Sequence, residues 1–282
     1  MSDAGDLFDQ YAAAYEQALE SAIAPSGEGR EYFARGRVAW LARCLKEARV
    51  APRTMLDFGC GDGATTPLLV SALHADAAVG VDVSAKALEI ARINYEALVP
   101  GDARGESLDG DTRGKPLAEN TRDKPQIRYE SVEEFRAGLR QAAQGATTDR
   151  AGQGRKGEFH LAYCNGVFHH IAPGERLEAL ALIRGALRAG GLFSFWENNP
   201  WSPAARYVMS RCAFDRDAIL LSPPEARALL RRGGFQILRT DFRFIFPRAL
   251  RALRPIEDAV YRLPLGAQYQ VLCRAGTVTG ER

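Results

Sequence analysis

The run LDFGCGDG at residues 56–63 limits what this chain can fold into more than any other stretch. A short apolar strand ends in an acid, turns through Gly59, Gly61 and Gly63, and leads into a helix-forming stretch from Ala64 to His74. Glycines suit such a turn because the backbone must bend tightly and let a ligand approach with no Cβ in between. Many nucleotide sites share this strand–turn–helix unit. The dinucleotide form G-x-G-x-x-G would place a third glycine at position 64, where Ala64 stands, a position at which alanine is sometimes tolerated.

The chain continues as alternating strands and helices. AAVGVDV (77–83), QIRYE (126–130), FHLAYC (159–164) and LFSFWE (192–197) read as strands, AAVGVDV from its near-continuous apolar run. Helices are expected after Ser84, after the capping box Ser131/Glu134, and at about 174–188, the last stopped by Ala-Gly-Gly. Strands separated by helical segments call for right-handed crossovers and a mostly parallel sheet, a Rossmann-like doubly wound α/β fold. A helix capped by Ser222 and Glu225, a strand at 235–246, a Pro-punctuated helix at 248–262 and a strand near 268–274 follow, and they predict an antiparallel edge. Phe242, Phe244 and Phe246 are expected on one face of the 235–246 strand.

Residues 1–50 read as an N-terminal helical lid, with Phe8, Tyr11, Tyr15 and Leu19 forming one apolar stripe. Residues 51–282 then form the main domain, interrupted by a polar, Gly-rich insertion at 101–125 with too few apolar groups to order itself. A second polar loop is expected at 145–157.

Asp82 ends the second strand, roughly 20 residues past the glycine turn, where an acid can accept two hydrogen bonds from a ribose diol. Taken in order, LDFGCGDG, VGVDVS, LAYCNGVFHHI (161–171) and LRAGGLFSFWE (187–197) resemble the successive motifs of class I S-adenosylmethionine-dependent methyltransferases of the small-molecule type, over roughly residues 54–200. The resemblance implies S-adenosyl-L-methionine as cofactor and places its contacts on Asp57, Gly59, Cys60, Gly61, Asp82, Val83, Glu130, Ser131, Asn165 and Val167. In that family the turn lies against the methionine part and Asp82 holds the ribose. Glu130 and Ser131 flank the adenine, and Asn165 to Phe168 line the reactive end. DLFDQYAAAY resembles the family's helical lid, and residues 197–226 resemble an Asn-Pro-rich segment of a bacterial subset.

A hydroxyl acceptor usually needs a base, and His169, His170 and Glu197 are the candidates at the ligand-facing ends of the fourth and fifth strands. No metal site is expected: an adjacent His pair does not readily chelate one ion, and no acid–His cluster is visible in the sequence. The five scattered cysteines give neither a disulfide framework nor a CxxC pair, which fits a reducing compartment. With no secretory leader and no run long enough to span a bilayer, a cytoplasmic protein is expected.

The net charge of +2 advertises no nucleic-acid partner, and the Asn/Asp-Pro-Pro-aromatic tetrad of nucleic-acid methyltransferases is absent, since Asn165-Gly166-Val167-Phe168 stands there. From Trp201 onward the chain carries 14 Arg and no Lys against 7 acids, and the basic stretch within 242–262 raises contact with a membrane surface as a partner. Two rivals stand beside a methyltransferase acting on a small, hydrophobic or lipid-linked acceptor. One is an NAD(P)-dependent oxidoreductase, which leaves FHHI and LRAGGLF unexplained. The other is a non-catalytic cofactor-binding subunit, although the turn and both acids are intact.

Overall fold

The computed structural model describes residues 18–98, 125–144, 157–212, 215 and 218–276. Phe8, Tyr11 and Tyr15 of the expected lid, most of the 101–125 insertion and most of the 145–157 loop lie outside the described residues.

The elements follow in the order α1 (Arg30–Glu47), β1 (Thr54–Phe58), α2 (Thr66–Leu73), β2 (Ala77–Asp82), α3 (Ala85–Leu98), β3 (Gln126–Ser131), α4 (Val132–Ala143), β4 (Phe159–Asn165), α5 (Arg176–Ala186), β5 (Leu187–Asn198), α6 (Pro203–Arg211), α7 (Pro223–Arg232), β6 (Phe235–Arg243) and β7 (Gln268–Ala275). They build a seven-stranded sheet in the order β3-β2-β1-β4-β5-β7-β6. The first five strands pair in parallel, while β7 runs antiparallel to both β5 and β6 and so carries the antiparallel character of that edge.

One sheet face is covered by α1 and α2, whose Trp40, Leu41, Leu45, Leu69 and Val70 pack on Met55, Leu161, Tyr163, Trp196 and Leu272. The other is covered by α4, α5 and α7 through Phe135, Leu180, Ile183, Ala226 and Leu230, which meet Leu56, Val81, Cys164, Phe193 and Val271. Burial on both faces explains the near-continuous apolar text of β2 and the apolar run Leu161–Cys164 of β4.

Both expected capping boxes form: the Ser131 and Ser222 amides donate to Glu134 and Glu225, each at 2.8 Å. Two expectations fail in detail. Helix α5 stops at Ala186 and β5 has already begun at Leu187, so Ala189-Gly190-Gly191 lies within the strand, with Gly190 at φ +73°. Helical capping by glycine is replaced there by sheet pairing of Phe159 with Leu187. Strand β6 ends at Arg243 because Phe244 adopts φ +67°, which turns its ring away from strand alternation and onto Tyr32 and Phe33. The stretch after it forms 3-10 turns over Arg248–Ile256, kinked at Leu250, and a one-turn helix at Glu257–Val260, with Pro255 inside the turns.

Candidate functional site

Strand order across the sheet reverses between β1 and β4: β2 and β3 lie to one side, β5 and the late strands to the other. In open parallel sheets a crevice forms at the carboxyl ends of the strands at such a switch. The glycine turn follows β1 and the Asn165 turn follows β4, so both flank it.

The turn is tied down from β2. The amides of Gly59 and Cys60 donate to the Val81 carbonyl at 2.7 and 3.1 Å, and the Gly61 amide donates to Asp82 Oδ2 at 2.8 Å. The other carboxylate oxygen of Asp82 accepts from the Ser84 amide at 3.0 Å, so one acid holds the turn and the start of α3 in register. Burial raises its pKa, and the amides of Ser84 and Gly61 pull the other way. Gly61, at φ +54°, would direct a Cβ into open space, so the middle of the turn faces the crevice. Below it Asp57 is buried and accepts from Thr66 Oγ1 at 2.7 Å. Burial outweighs that hydrogen bond and, with the nearby Asp82, lifts the Asp57 carboxyl to about 7.

Tyr129 of β3 explains two further glycines. A Cβ on Gly63 would stand 2.7 Å from its hydroxyl, and one on Gly80 would stand 2.5 Å from its ring. The Tyr129 hydroxyl donates to the Gly63 carbonyl at 3.4 Å. Ser131 lies beside Asp82 in the strand register and caps α4, while Glu130 is ion-paired with Arg128 at 3.2 Å. Val83 and Cys60 pack at the same edge, and burial pushes the Cys60 thiol well up. Val167 fills the space that the missing side chain of Gly59 leaves. Asn165 Oδ1 is buried and has no hydrogen-bond partner among the described residues. A buried acceptor at the mouth of β4, an open-faced glycine and the anchored Asp82 together fit an elongated polar cofactor lying along this edge.

On the other side of the switch, Glu197 ends β5 almost fully buried. Its Oε1 accepts from the Phe168 amide at 2.8 Å, and its Oε2 pairs with His169 Nδ1 at 2.5 Å. His169 Nε2 lies 3.5 Å and His170 Nε2 lies 3.4 Å from Asp215 Oδ1. The expectation that no acid–His cluster exists is thereby corrected. The chain after α6 returns over the histidines, where the Ile219 amide donates to the His169 carbonyl at 2.8 Å and brings Asp215 with it. Arg176 bolts this return in place through the Ile171 and Ile219 carbonyls, at 2.9 and 2.8 Å. Burial alone would lower the pKa of His169, but Glu197 and Asp215 outweigh it and carry it up to about 10. For Asp215 burial acts upward, and the hydrogen bonds of His169 and His170 bring it down to about 2.

The sequence-derived residues thus gather in two adjoining groups: Asp57, Gly59, Cys60, Gly61, Asp82, Val83, Ser131, Asn165 and Val167 around the switch, with Glu130 turned to Arg128, and His169, His170 and Glu197 beyond it. Sequence reasoning missed Thr66, Tyr129 and Asp215. For Tyr129 a signal was present, since a glycine inside a strand, Gly80, marks close approach by a neighbour. Nothing local marks Asp215.

Residues 56–193 match the family model described as "Methyltransferase domain". No curated protein sequence matches the chain. Among solved structures, a chain from the complex of the Haloferax volcanii Trm112 methyltransferase activator with a methyltransferase superposes with a TM-score of 0.54 at 15% identity, over 95% of this chain and 97% of that one. An S-adenosylmethionine-dependent methyltransferase of Thermotoga maritima superposes with a TM-score of 0.52 at 14% identity, over 96% of this chain and 99% of that one. At these identities the superpositions speak for the fold, including the late strands β6 and β7 that lie beyond the matched domain.

Proposed function

We propose, from the premise that the chain is a class I S-adenosylmethionine-dependent methyltransferase, that it methylates a small-molecule acceptor at an oxygen or nitrogen atom. The observation that carries this reading is the Asp82 anchor. One carboxylate locks the glycine turn and the start of α3, and it stands at the strand end where a ribose diol is recognised. S-adenosyl-L-methionine supplies the activated methyl group on its sulfonium. The protein's share of an in-line displacement is alignment and exclusion of water.

Gly59, Gly61 and Asp57 would receive the methionine part, Asp82 the ribose, and Ser131 with Val83 and Tyr129 the adenine side. The unpartnered Asn165 Oδ1 is suited to accept from the cofactor's ammonium group. Glu197 and His169 hold the 165–170 turn against β5 and act as positioning residues, and His170 is the less buried imidazole, turned to Asp215.

Support for a hydrophobic or lipid-linked acceptor comes from the segment between β6 and β7. It exposes Leu250, Leu253, Ile256, Leu263 and Leu265 with Arg248, Arg251 and Arg262 at the carboxyl edge of the sheet. Among the described residues no helix is long and apolar enough to cross a membrane.

The test is calorimetric titration of the purified chain with S-adenosylmethionine, S-adenosylhomocysteine and NAD, repeated on Asp82→Ala. Binding of the first two, lost in the variant, is expected. Binding of NAD alone would overturn the reading. Turnover against acceptors offered in solution and in vesicles then separates a soluble from a lipid-linked substrate.

A further inference from the structure

We infer that His169, His170 and Asp215 form a binding site for a divalent transition-metal ion of the zinc class at the acceptor side of the crevice. Three donor atoms converge: Nε2 of His169, Nε2 of His170 and a carboxylate oxygen of Asp215, all within 4.8 Å of one another. The two nitrogen-to-oxygen separations are 3.5 and 3.4 Å. With metal–ligand bonds of about 2.0–2.1 Å, neighbouring ligands of a tetrahedral ion stand about 3.3–3.4 Å apart, so two of the three edges already have the right length. Two neutral imidazoles and one carboxylate are the donor set of open, three-ligand sites that leave a fourth position for water or substrate.

A second observation points the same way. Metal-binding histidines almost always give their other ring N–H to a carboxylate or carbonyl, which fixes the tautomer and aims the free nitrogen. His169 Nδ1 meets Glu197 Oε2 at 2.5 Å, and Glu197 is itself held by the Phe168 amide. That orientation turns Nε2 toward Asp215. A dication with Asp215 and Glu197 is also charge-neutral, which suits a site where the His169 and Glu197 side chains are 3% and 0% exposed. Beside it lies a cavity of about 320 Å³ lined by Met209, Cys212, Asp215 and Leu220, which gives the fourth position an outlet. There the ion would hold an acceptor oxygen and make its deprotonation easier near neutral pH.

The rival account of the same geometry is a metal-free ion cluster in which protonated His169 bridges Glu197 and Asp215. Direct metal binding separates the two, and it needs neither cofactor nor acceptor, so its failure would leave the methyltransferase reading standing. The full chain, stripped with a chelator and dialysed, is titrated with Zn2+ by calorimetry, and Co2+ is used as an optical reporter. One equivalent is expected, with the visible absorption of four-coordinate cobalt. Asp215→Asn and His170→Ala should each weaken Zn2+ at least about 100-fold, and Glu197→Gln about 10–100-fold by misorienting His169. The chain has only four histidines, and the other two, His74 and His160, lie elsewhere, so His74→Ala should leave the affinity unchanged. Far-ultraviolet circular dichroism and a cooperative urea transition serve as the folding check. If a variant fails it, the cobalt spectrum of the unaltered chain decides. No stoichiometric binding, an octahedral aquo-type spectrum, or Zn2+ affinity indifferent to His170→Ala in a folded protein would overturn the site.

Discussion

Asp241 and Glu197 are the two most deeply buried carboxylates among the described residues, and their surroundings have little else in common. Asp241 of β6 sits under α1. It accepts from the Trp40 indole at 3.0 Å and pairs with Arg239 at 2.6 Å, and Arg239 reaches on to Glu47 at 2.6 Å. Arg239 also lies over the Trp40 and Tyr261 rings, which close the cluster from outside. Glu197 of β5 is as deeply buried, but its partners are a backbone amide and an imidazole, and beyond them stand Asp215 and a cavity. The guanidinium and the indole that face Asp241 keep their protons at any ordinary pH, so its partners are fixed donors and the cluster acts as a strut. Imidazole can exchange its proton for another or for a metal ion. Burial and charge therefore do not by themselves locate function. The carboxyl ends of parallel strands, together with partners that can change state, do so.

The largest effect expected from testing this contrast is on stability. Asp241→Ala leaves the Trp40 N–H without its acceptor and Arg239 with Glu47 as its remaining acid, and should cost about 3 kcal/mol of unfolding free energy, read from urea midpoints. The affinity for S-adenosylhomocysteine should stay within about twofold. A parallel loss of affinity would break the division of labour drawn here.

Asp82→Ala should show the reverse pattern, with affinity falling at least about 100-fold, or about 2.7 kcal/mol, on calorimetry. Stability should drop by only about 1–2 kcal/mol for the lost Gly61 and Ser84 hydrogen bonds.

A pH series on Asp57 sharpens the comparison. Its folded-state pKa is raised to about 7, so the folded chain keeps a proton that the unfolded chain releases near 3.8. Stability should therefore be greatest in acid and decline as pH climbs from about 4 through about 7, a slope that Asp57→Asn should remove. A steeper decline in the variant would show that the sign is wrong.

The smallest expected effect uses the two Ser-x-x-Glu caps. Ser131→Ala and Ser222→Ala should each cost about 1 kcal/mol, read as a Tm shift. Only the first, beside Asp82, should also weaken cofactor binding.

Much of this architecture is legible in the sequence because local rules agree with the fold. The apolar runs of β1, β2 and β4 and the two capping boxes state their structures directly, and the spacing from Gly63 to Asp82 encodes one crossover. The failures occur where tertiary contacts override local text. Gly190 and Gly191 read as a helix stop but lie inside β5, in the register shift between the Phe159–Leu187 and Leu161–Leu192 pairs with β4. Phe244 reads as strand and turned out of it because Tyr32 and Phe33 offered an aromatic pocket. Asp215 is invisible from the sequence for a different reason. It reaches His169 and His170 through a return of the chain that Arg176 and Ile219 hold in place, and no periodicity reports that path.

The place of β7 has a consequence for the order in which the protein can be assembled during synthesis. The latest of the described strands in the sequence is inserted between β5 and β6, pairing with both. Until Gln268–Ala275 emerges, β5 and β6 each present an unsatisfied edge, and the long edge of β5 carries Glu197 at its end. The nascent chain can therefore complete the β1–β4 half while it is being translated, but the β5–β6 half stays open until β7 is made. Chains that stop before β7 would expose two sticky edges.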